Sequence, residues 1–338
     1  MDSEAADRAF TLIDGFRATQ GVRVVSELKI PDLVADGPKS PAELAEATGV
    51  LEDPLRRVLQ ALVSVGVFEE TGDGRFGATA ISECFTDKAG TLRAWAVMLP
   101  REGYASFAEL MYTLQTGKPA YDKVFGEPRF ESLSKDPESA ARFNIAMQRW
   151  TEQIASDVVD AYDFSSVESL IDVGGGTGTL AAAILAANPH LRGAVFDLPA
   201  GLTDTEGYLR SAGVSDRCEV VQGSFFESVP SGFDLYVLKS IIHDWSDEQS
   251  VAILSTCRAA MDEGARLVLV ERLMPTRAAE TARDRRATFI DLHMMVMLGG
   301  RERNTEQFSA LFDASGLRLG RVVEAGDMYV IEAEPVVG

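Results

Sequence analysis

The chain has 338 residues, of which 46% are apolar and 25% charged, the proportions of an ordinary globular protein. A length of this order makes about two domains with sizeable cores. With 52 acidic against 32 basic residues the formal charge is −20, which argues against a nucleic-acid backbone or an anionic membrane as main partner, since both need cationic surface.

Residues 1 to about 160 read as mostly helical. Ser40 precedes Pro41, and Glu43 follows three positions on. That is a capping box with proline at the first helical position, and it predicts a helix over 42–48 that stops at Gly49. A second helix starts near Asp53 and carries Leu55, Val58, Leu59, Leu62 and Val63 as an apolar stripe. Residues 67–71 and 75–79, joined by Gly72, Asp73 and Gly74, read as a β-hairpin. Two helices and a hairpin make a winged helix. Such a unit can bind DNA, so a DNA-binding regulator is the non-enzyme alternative. Its second helix offers only Arg56 and Arg57 beside Glu52 and Asp53, which favours packing or dimerisation. A long helix is expected over 136–162. The domain boundary is then expected near 160–166, with a helical domain over 1–160 and an α/β domain over 161–338.

From Val167 onward short β-rich runs alternate with helical patterns, the signature of an open α/β sheet with a Rossmann-like order. Leu170, Ile171, Asp172 and Val173 form a buried-strand run. Gly174, Gly175, Gly176, Thr177 and Gly178 follow, and then an Ala- and Leu-rich helix. Strand, Gly-rich turn and helix form a nucleotide-binding context, because glycines admit a ligand close to the backbone and the helix N-terminus offers unpaired N–H groups. The next strand ends in Asp197, placed to accept hydrogen bonds from both ribose hydroxyls of an adenosine-type cofactor. The spacing is GxGxG rather than the GxGxxG that holds a pyrophosphate, and no lysine-bearing phosphate loop is present. S-adenosylmethionine (SAM), an adenosine cofactor without phosphate, fits. Two further strand ends lie along the same edge. One reaches Gly223, Ser224 and Phe225, where it would wall an adenine; the other ends near Lys239.

These residues, with Asp197-Leu198-Pro199, Gly223-Ser224-Phe225-Phe226, the run from Leu238 to Trp245 that includes His243-Asp244-Trp245, and Gly299-Gly300-Arg301-Glu302-Arg303, occur in one order. In that order the chain resembles the SAM-dependent small-molecule O-methyltransferases of plant phenolic and bacterial natural-product pathways. The likeness spans essentially the whole chain and includes the family's N-terminal winged-helix dimerisation domain. It implies that Gly174, Gly176 and their neighbours hold the methionine part of SAM and that Asp197 holds the ribose. Ser224, Phe225 and Lys239 would surround the adenine. His243 would be the general base, with Glu271 and Glu302 flanking and orienting it. Met147, Trp150, Met294, Met297 and the helix over 289–298 would line the acceptor pocket. A homodimer is implied too. Ser224 stands where the family usually has Asp, which weakens one adenine contact. Asn304 stands where Thr is common, and Gln307 completes its capping box.

His293 is the unusual residue. Phe289, Leu292, Val296 and Met297 recur at helical spacing, and His293 falls on their stripe, so it is expected to point inward. The family normally has an apolar residue there, facing the acceptor. In that geometry His293 would face His243, with Asp244 beside it. Two histidines and one carboxylate are the kind of set that binds non-haem iron or another metal. A metal would chelate an aryl α-keto acid and stabilise its enolate, and SAM would then methylate carbon. This resembles the α-keto acid C-methyltransferases of non-ribosomal peptide pathways. Metal-assisted C-methylation is therefore the favoured expectation. The alternative is metal-independent O-methylation of a phenolic or polyketide hydroxyl with His243 as base, and a scaffold that binds SAM without methylating is a further one. The plainer reading of His293 is a hydrogen bond to substrate. His190, after Asn188 and Pro189, reads as a solvated loop residue.

No apolar run approaches the roughly 18 residues of a membrane span. The first residues lack the basic start and apolar core of a signal peptide. Cys84, Cys218 and Cys257 are far apart, which fits a reducing cytoplasm and leaves no disulfide scaffold or thiolate zinc site.

Overall fold

Local capping chemistry sets the start of the third helix. In the computed structural model, which describes residues 3–88 and 90–336, α1 (Ser3–Glu27) and α2 (Ile30–Leu33) precede α3 (Pro41–Thr48). Ser40 Oγ accepts from the Glu43 N–H at 3.3 Å, and Glu43 Oε2 accepts from the Ser40 N–H at 2.7 Å, so both halves of the expected box form. Gly49 ends the helix at φ 71°, a conformation open to glycine without a Cβ clash. α4 (Glu52–Val63) turns Leu55, Leu59 and Leu62 inward. The hairpin pairs β1 (Phe68–Glu70) with β2 (Phe76–Ala78), and α5 (Ala80–Glu83) follows. The expected winged helix is thus present, with Val25, Ile30, Leu44, Leu59, Phe68 and Phe76 in its core. This unit runs to Tyr104.

α6 (Arg93–Ala108) spans the division in the chain, and α7 (Leu110–Thr116), α8 (Ala120–Phe125), α9 (Arg129–Lys135) and α10 (Pro137–Ala161) belong to the second unit, which begins at Ala105. The division therefore lies at 104/105 and not near 160. The reason is packing. Ile154, Ala155 and Val158 of α10 share one core with residues of the sheet, so the helix cannot be separated from it.

The sheet is built from β3 (Ser169–Val173), β4 (Arg192–Asp197), β5 (Cys218–Gln222), β6 (Leu235–Lys239), β7 (Arg266–Glu271), β8 (Leu317–Ala325) and β9 (Met328–Pro335). Between the strands come α11 (Thr179–Ala187), α12 (Thr205–Ser211), α13 (Asp247–Ala260), α14 (Ala282–Met297) and α15 (Thr305–Ala314). Strand order is β5-β4-β3-β6-β7-β9-β8. The first five are parallel and β9 runs antiparallel to both β7 and β8. Helices cover both faces, so successive strand residues enter opposite cores: Leu170 packs with Leu180 and Leu185, while Ile171 and Val173 pack with Leu254 and Leu269.

Chain order reverses at β3. One neighbour is β4 and the other is β6, which opens a crevice beyond their carboxyl ends, where such sheets bind ligands. Gly174, Asp197, Lys239 and Glu271 all stand at that edge.

Candidate active site

The Gly-rich turn is a backbone cradle. Gly174, Gly176 and Gly178 have φ of 74°, 56° and 74°. A Cβ on Gly174 would lie 2.5 Å from Ile241 Cδ1, so that position is crowded as well as left-handed. Asp197 Oδ2 accepts the Gly176 N–H at 2.9 Å and Oδ1 accepts the Leu198 N–H at 2.6 Å. These bonds lock the carboxylate against the turn. Burial raises its pKa, and the two N–H groups oppose that rise. Across β3, the buried Asp172 is pushed up to about 7 by burial, with the nearby Lys239 ammonium pulling the other way. Lys239, at the end of β6, is pushed down by burial and held up by Asp172 and Glu271. Ser224 Oγ accepts the Phe226 N–H at 3.3 Å and turns the chain after β5. Phe225 and Phe226 meet edge to face, and Phe226 packs on Trp245 at 4.8 Å between centroids. The SAM set expected from the sequence thus lies along one sheet edge.

His243 sits in a 3-10 turn, Ile242–Asp244, between β6 and α13. Glu271 at the end of β7 organises that turn. Its Oε1 accepts N–H groups from Ile241 at 3.0 Å, Ile242 at 2.9 Å and His243 at 3.4 Å. The ring is held from one side, with Nδ1 2.8 Å from Glu302 Oε1 and 3.6 Å from Glu271 Oε2. Nε2 lies 3.3 Å from Asp244 Oδ1. Burial alone would lower the imidazole pKa. Glu271, Glu302 and Asp244 outweigh it and raise it to about 10. Burial raises Asp244 to about 6. Glu271 is raised as well, chiefly by burial, with the imidazolium pulling it back.

The supporting shell was not legible beforehand. Arg303 is fully buried and ties the loop together: its guanidinium donates to the Ile242 carbonyl at 2.8 Å, the Trp245 carbonyl at 2.8 Å and Asp247 Oδ1 at 2.7 Å. Gly300 lies so close that a Cβ there would sit 2.1 Å from the His243 carbonyl oxygen. Ser240 leaves β6 at φ 53°, a left-handed value rare for serine, and its N–H reaches the Val270 carbonyl at 3.0 Å. The segment from Gly299 to Arg303 is a motif in the sequence, and the fold shows its arginine and glycine as holders of the histidine loop.

The acceptor-side residues divide. His293, on α14, stacks on Phe107 with centroids 6.3 Å apart. Burial, then the Arg129 and His243 charges, lower its pKa to about 3, which keeps it neutral. Met294 is buried and Met147 half-buried. Trp150 carries the Arg272 guanidinium over its ring at 4.7 Å and packs against the sheet core. Met297 is buried with Ala120, Tyr121 and Val296 in the α8–α14 packing. Phe289 is 64% exposed, so the expected inward stripe does not extend to it. His190 is exposed.

The expected metal set is not assembled. His243 and Asp244 meet, but His293 does not bring a ring nitrogen into one ligand group with them. Among the described residues, the group whose ligand atoms all lie within 4.8 Å of one another is His243, Glu271 and Glu302. Its two glutamates lie on the Nδ1 side of the ring, where Nδ1 already bonds Glu302. They serve to orient and charge the imidazole.

Glu302 supplies part of the charge that keeps His243 protonated. In Glu302→Gln the imidazolium loses a partner and its pKa falls. The acid limb of the kcat/KM–pH profile is expected to move down by about 1–2 units. An unmoved limb would remove Glu302 from this role.

Comparison with known proteins places this constellation. Residues 107–318 match the O-methyltransferase domain and residues 10–88 the O-methyltransferase dimerisation domain. The chain is 41% identical over 329 residues to phenazine O-methyltransferase PhzM of Lysobacter antibioticus, covering 96% of this chain and 95% of that one. It is 38% identical to the O-demethylpuromycin-O-methyltransferase of Streptomyces alboniger, covering 98% and 90%. The crystal structure of an O-methyltransferase of neocarzinostatin biosynthesis, in complex with SAM and 2-hydroxy-5-methyl naphthoic acid, superposes with a TM-score of 0.84. It is 32% identical and covers 94% of this chain and 95% of that one. A glycine cradle and a carboxylate-held histidine on one sheet edge, in a chain that aligns almost end to end with these enzymes, identify it as a member of the O-methyltransferase family, a SAM-dependent methyltransferase of secondary metabolism.

Proposed function

We propose that the protein transfers the SAM methyl group to an aromatic hydroxyl of a small natural product, with His243 as the base. The observation that carries this is the histidine itself: Nδ1 is bonded to Glu302 and oriented by it, and Nε2, which pairs with Asp244 at 3.3 Å, is the nitrogen that would take the acceptor's proton. Methyl transfer asks little more. SAM brings an activated sulfonium, and the protein aligns donor and acceptor and removes one proton. At neutral pH the free protein keeps a proton on His243. Acceptor hydroxyl and imidazole together must shed one proton before reaction, so kcat/KM should rise with pH through neutrality. Gly174, Gly176, Asp197, Ser224, Phe225 and Lys239 would hold SAM. Met147, His293 and Met294 would face the acceptor.

Metal-assisted C-methylation of an α-keto acid has less support. Its ligand set is not drawn together, and the relatives described above are O-methyltransferases. One experiment separates the two readings. Carbon-13 methyl SAM is supplied with a panel of phenols and aryl α-keto acids, with and without EDTA, and products are read by NMR. A methoxy signal unaffected by EDTA is expected. A carbon-bound methyl that EDTA abolishes would overturn the proposal.

A homodimer is part of this reading. α1 leaves Phe10, Leu12, Ile13 and Phe16 exposed within the segment that matches the dimerisation domain. Sedimentation equilibrium should give twice the chain mass, and a monomer at micromolar concentration would refute it.

A further inference from the structure

Arg272 follows the last residue of β7 and is 8% exposed. One face of its guanidinium lies over the Trp150 ring, 4.7 Å from the centroid. Its Nε is buried and has no hydrogen-bond partner. Burial lowers its pKa. The Glu302, Asp327 and Glu271 charges oppose that through space, and the Arg286 charge adds to it. Charge at a distance supplies no acceptor, and a buried N–H that has lost its water without gaining one is costly.

Arg272 lines a small cleft that opens to solvent, together with Arg283, Arg286, Asp327 and Tyr329. The two further arginines stand at the start of α14, and the β8–β9 hairpin brings Asp327 and Tyr329. Arg283 lies over the Tyr329 ring at 4.7 Å and donates from Nη1 to Glu324 Oε1 at 2.9 Å. Its Nη2 is buried and has no partner. Arg286 donates to Asp327 Oδ1 at 2.8 Å. Glu324 and Asp327 are thus each taken up by an arginine of α14. Glu271 and Glu302 are turned to His243, with oxygens 3.6 and 2.8 Å from Nδ1. Two buried guanidinium donors on one cleft are left with nothing to donate to.

Three guanidinium groups and one carboxylate line this space, which favours an anion there over a neutral acceptor. A planar carboxylate has two oxygens for two such donors, and charge-assisted bonds of this kind are strong. We infer that the cleft is a binding site for the carboxylate group of a small acid, which accepts from Arg272 Nε and Arg283 Nη2. The cleft takes the head group, and the rest of the acid projects to solvent. The site is separate from the His243 nitrogen that meets the methyl acceptor.

The probe is acetate, with acetamide as its neutral counterpart and phosphate as a second anion. Protein saturated with S-adenosylhomocysteine, so that the cofactor cradle is filled, is melted by calorimetry while acetate replaces chloride at constant ionic strength. In wild type Tm is expected to rise by about 3–5 °C at tenfold over the dissociation constant. The rise should saturate, and acetamide should give none. Arg272→Met keeps a flexible stem on Trp150 but has no donor, and it should lose the rise. Arg283→Met should shift the midpoint to higher acetate. A poorly folding Arg272→Met does not void the test, because line broadening of carbon-13 acetate by wild type needs no variant. That broadening should be reversed by propionate and not by propionamide. No saturable effect of acetate on wild type, an equal effect of acetamide, or tighter binding of phosphate would each overturn the inference. So would a rise shared equally by Arg272→Met, which is the general effect of salt on burial.

Discussion

His243→Asn is expected to lower kcat by about 10²–10⁴-fold, the usual worth of a positioned general base, while SAM affinity stays within about twofold. The reasoning is geometric. Asparagine can present an amide N–H where Nδ1–H meets Glu302, so the carboxylate keeps a donor. It has nothing in place of Nε2. The cofactor cradle rests on β3 and β4 and does not depend on the ring. The matched measurement is single-turnover kinetics with calorimetry of SAM binding, and a kcat within tenfold of wild type would end the base assignment. His243→Ala should do more damage to the fold. It strips the imidazolium from between Glu271, Glu302 and Asp244, and removing one partner of a buried pair costs about 3–5 kcal/mol. The pH dependence has a definite sign. The folded value of about 10 lies above the ordinary 6.5. His243 therefore contributes its full stabilisation below pH 6.5, and that contribution is lost as pH rises through about 10. Wild type should lose more stability than His243→Asn over that window.

Gly300→Ala is expected to destabilise the second unit by about 3 kcal/mol, a fall in Tm of roughly 5–10 °C, and to cost about 10²-fold in kcat through a displaced base. A Cβ at residue 300 would lie 2.1 Å from the His243 carbonyl oxygen, 2.5 Å from the Asp244 carbonyl carbon and 2.7 Å from its oxygen. All three are backbone atoms, so no rotamer change relieves the overlap. Either the His243 turn or the segment carrying Glu302 and Arg303 must move. Either shift disturbs the bond between Arg301 N–H and the His243 carbonyl, 2.8 Å long, and the Arg303 contacts beyond it. Gly264→Ala is the control, since a Cβ there meets nothing within 4 Å. Differential scanning calorimetry of the two variants decides the matter, and equal melting temperatures would show that the loop has room.

Much of the fold is legible because its signals are local. Ser40 with Glu43, Ser246 with Gln249 and Asn304 with Gln307 form boxes whose partners are three residues apart. Steric rules within one turn mark Gly174, Gly176 and Gly178 as left-handed. The alternation of strand and helix then fixes a sheet whose carboxyl edge collects Asp197, Lys239 and His243. Resemblance supplied the roles of Glu271 and Glu302, which lie 28 and 59 residues from His243. No local pattern links them. The metal set failed for the same reason. Helical spacing placed His293 on a stripe with Phe289, but spacing does not say which positions of a helix are covered, and on α14 Ala287, Met294, Val296 and Met297 are buried while Phe289 is not.

By itself, then, the sequence determined the element order, the caps, the cofactor turn and the class of chemistry, because each depends on residues a few positions apart or on one ordered set of motifs. Tertiary structure alone decided the rest. It put α10 with the sheet by burying Ile154 and Val158 there, closed position 300 to any side chain, and set Arg303 under the histidine loop. It also brought Arg129 into the field of Asp244, 115 positions away in the chain. Burial and long-range electrostatics depend on which surfaces meet, and in this chain those surfaces meet across the sheet.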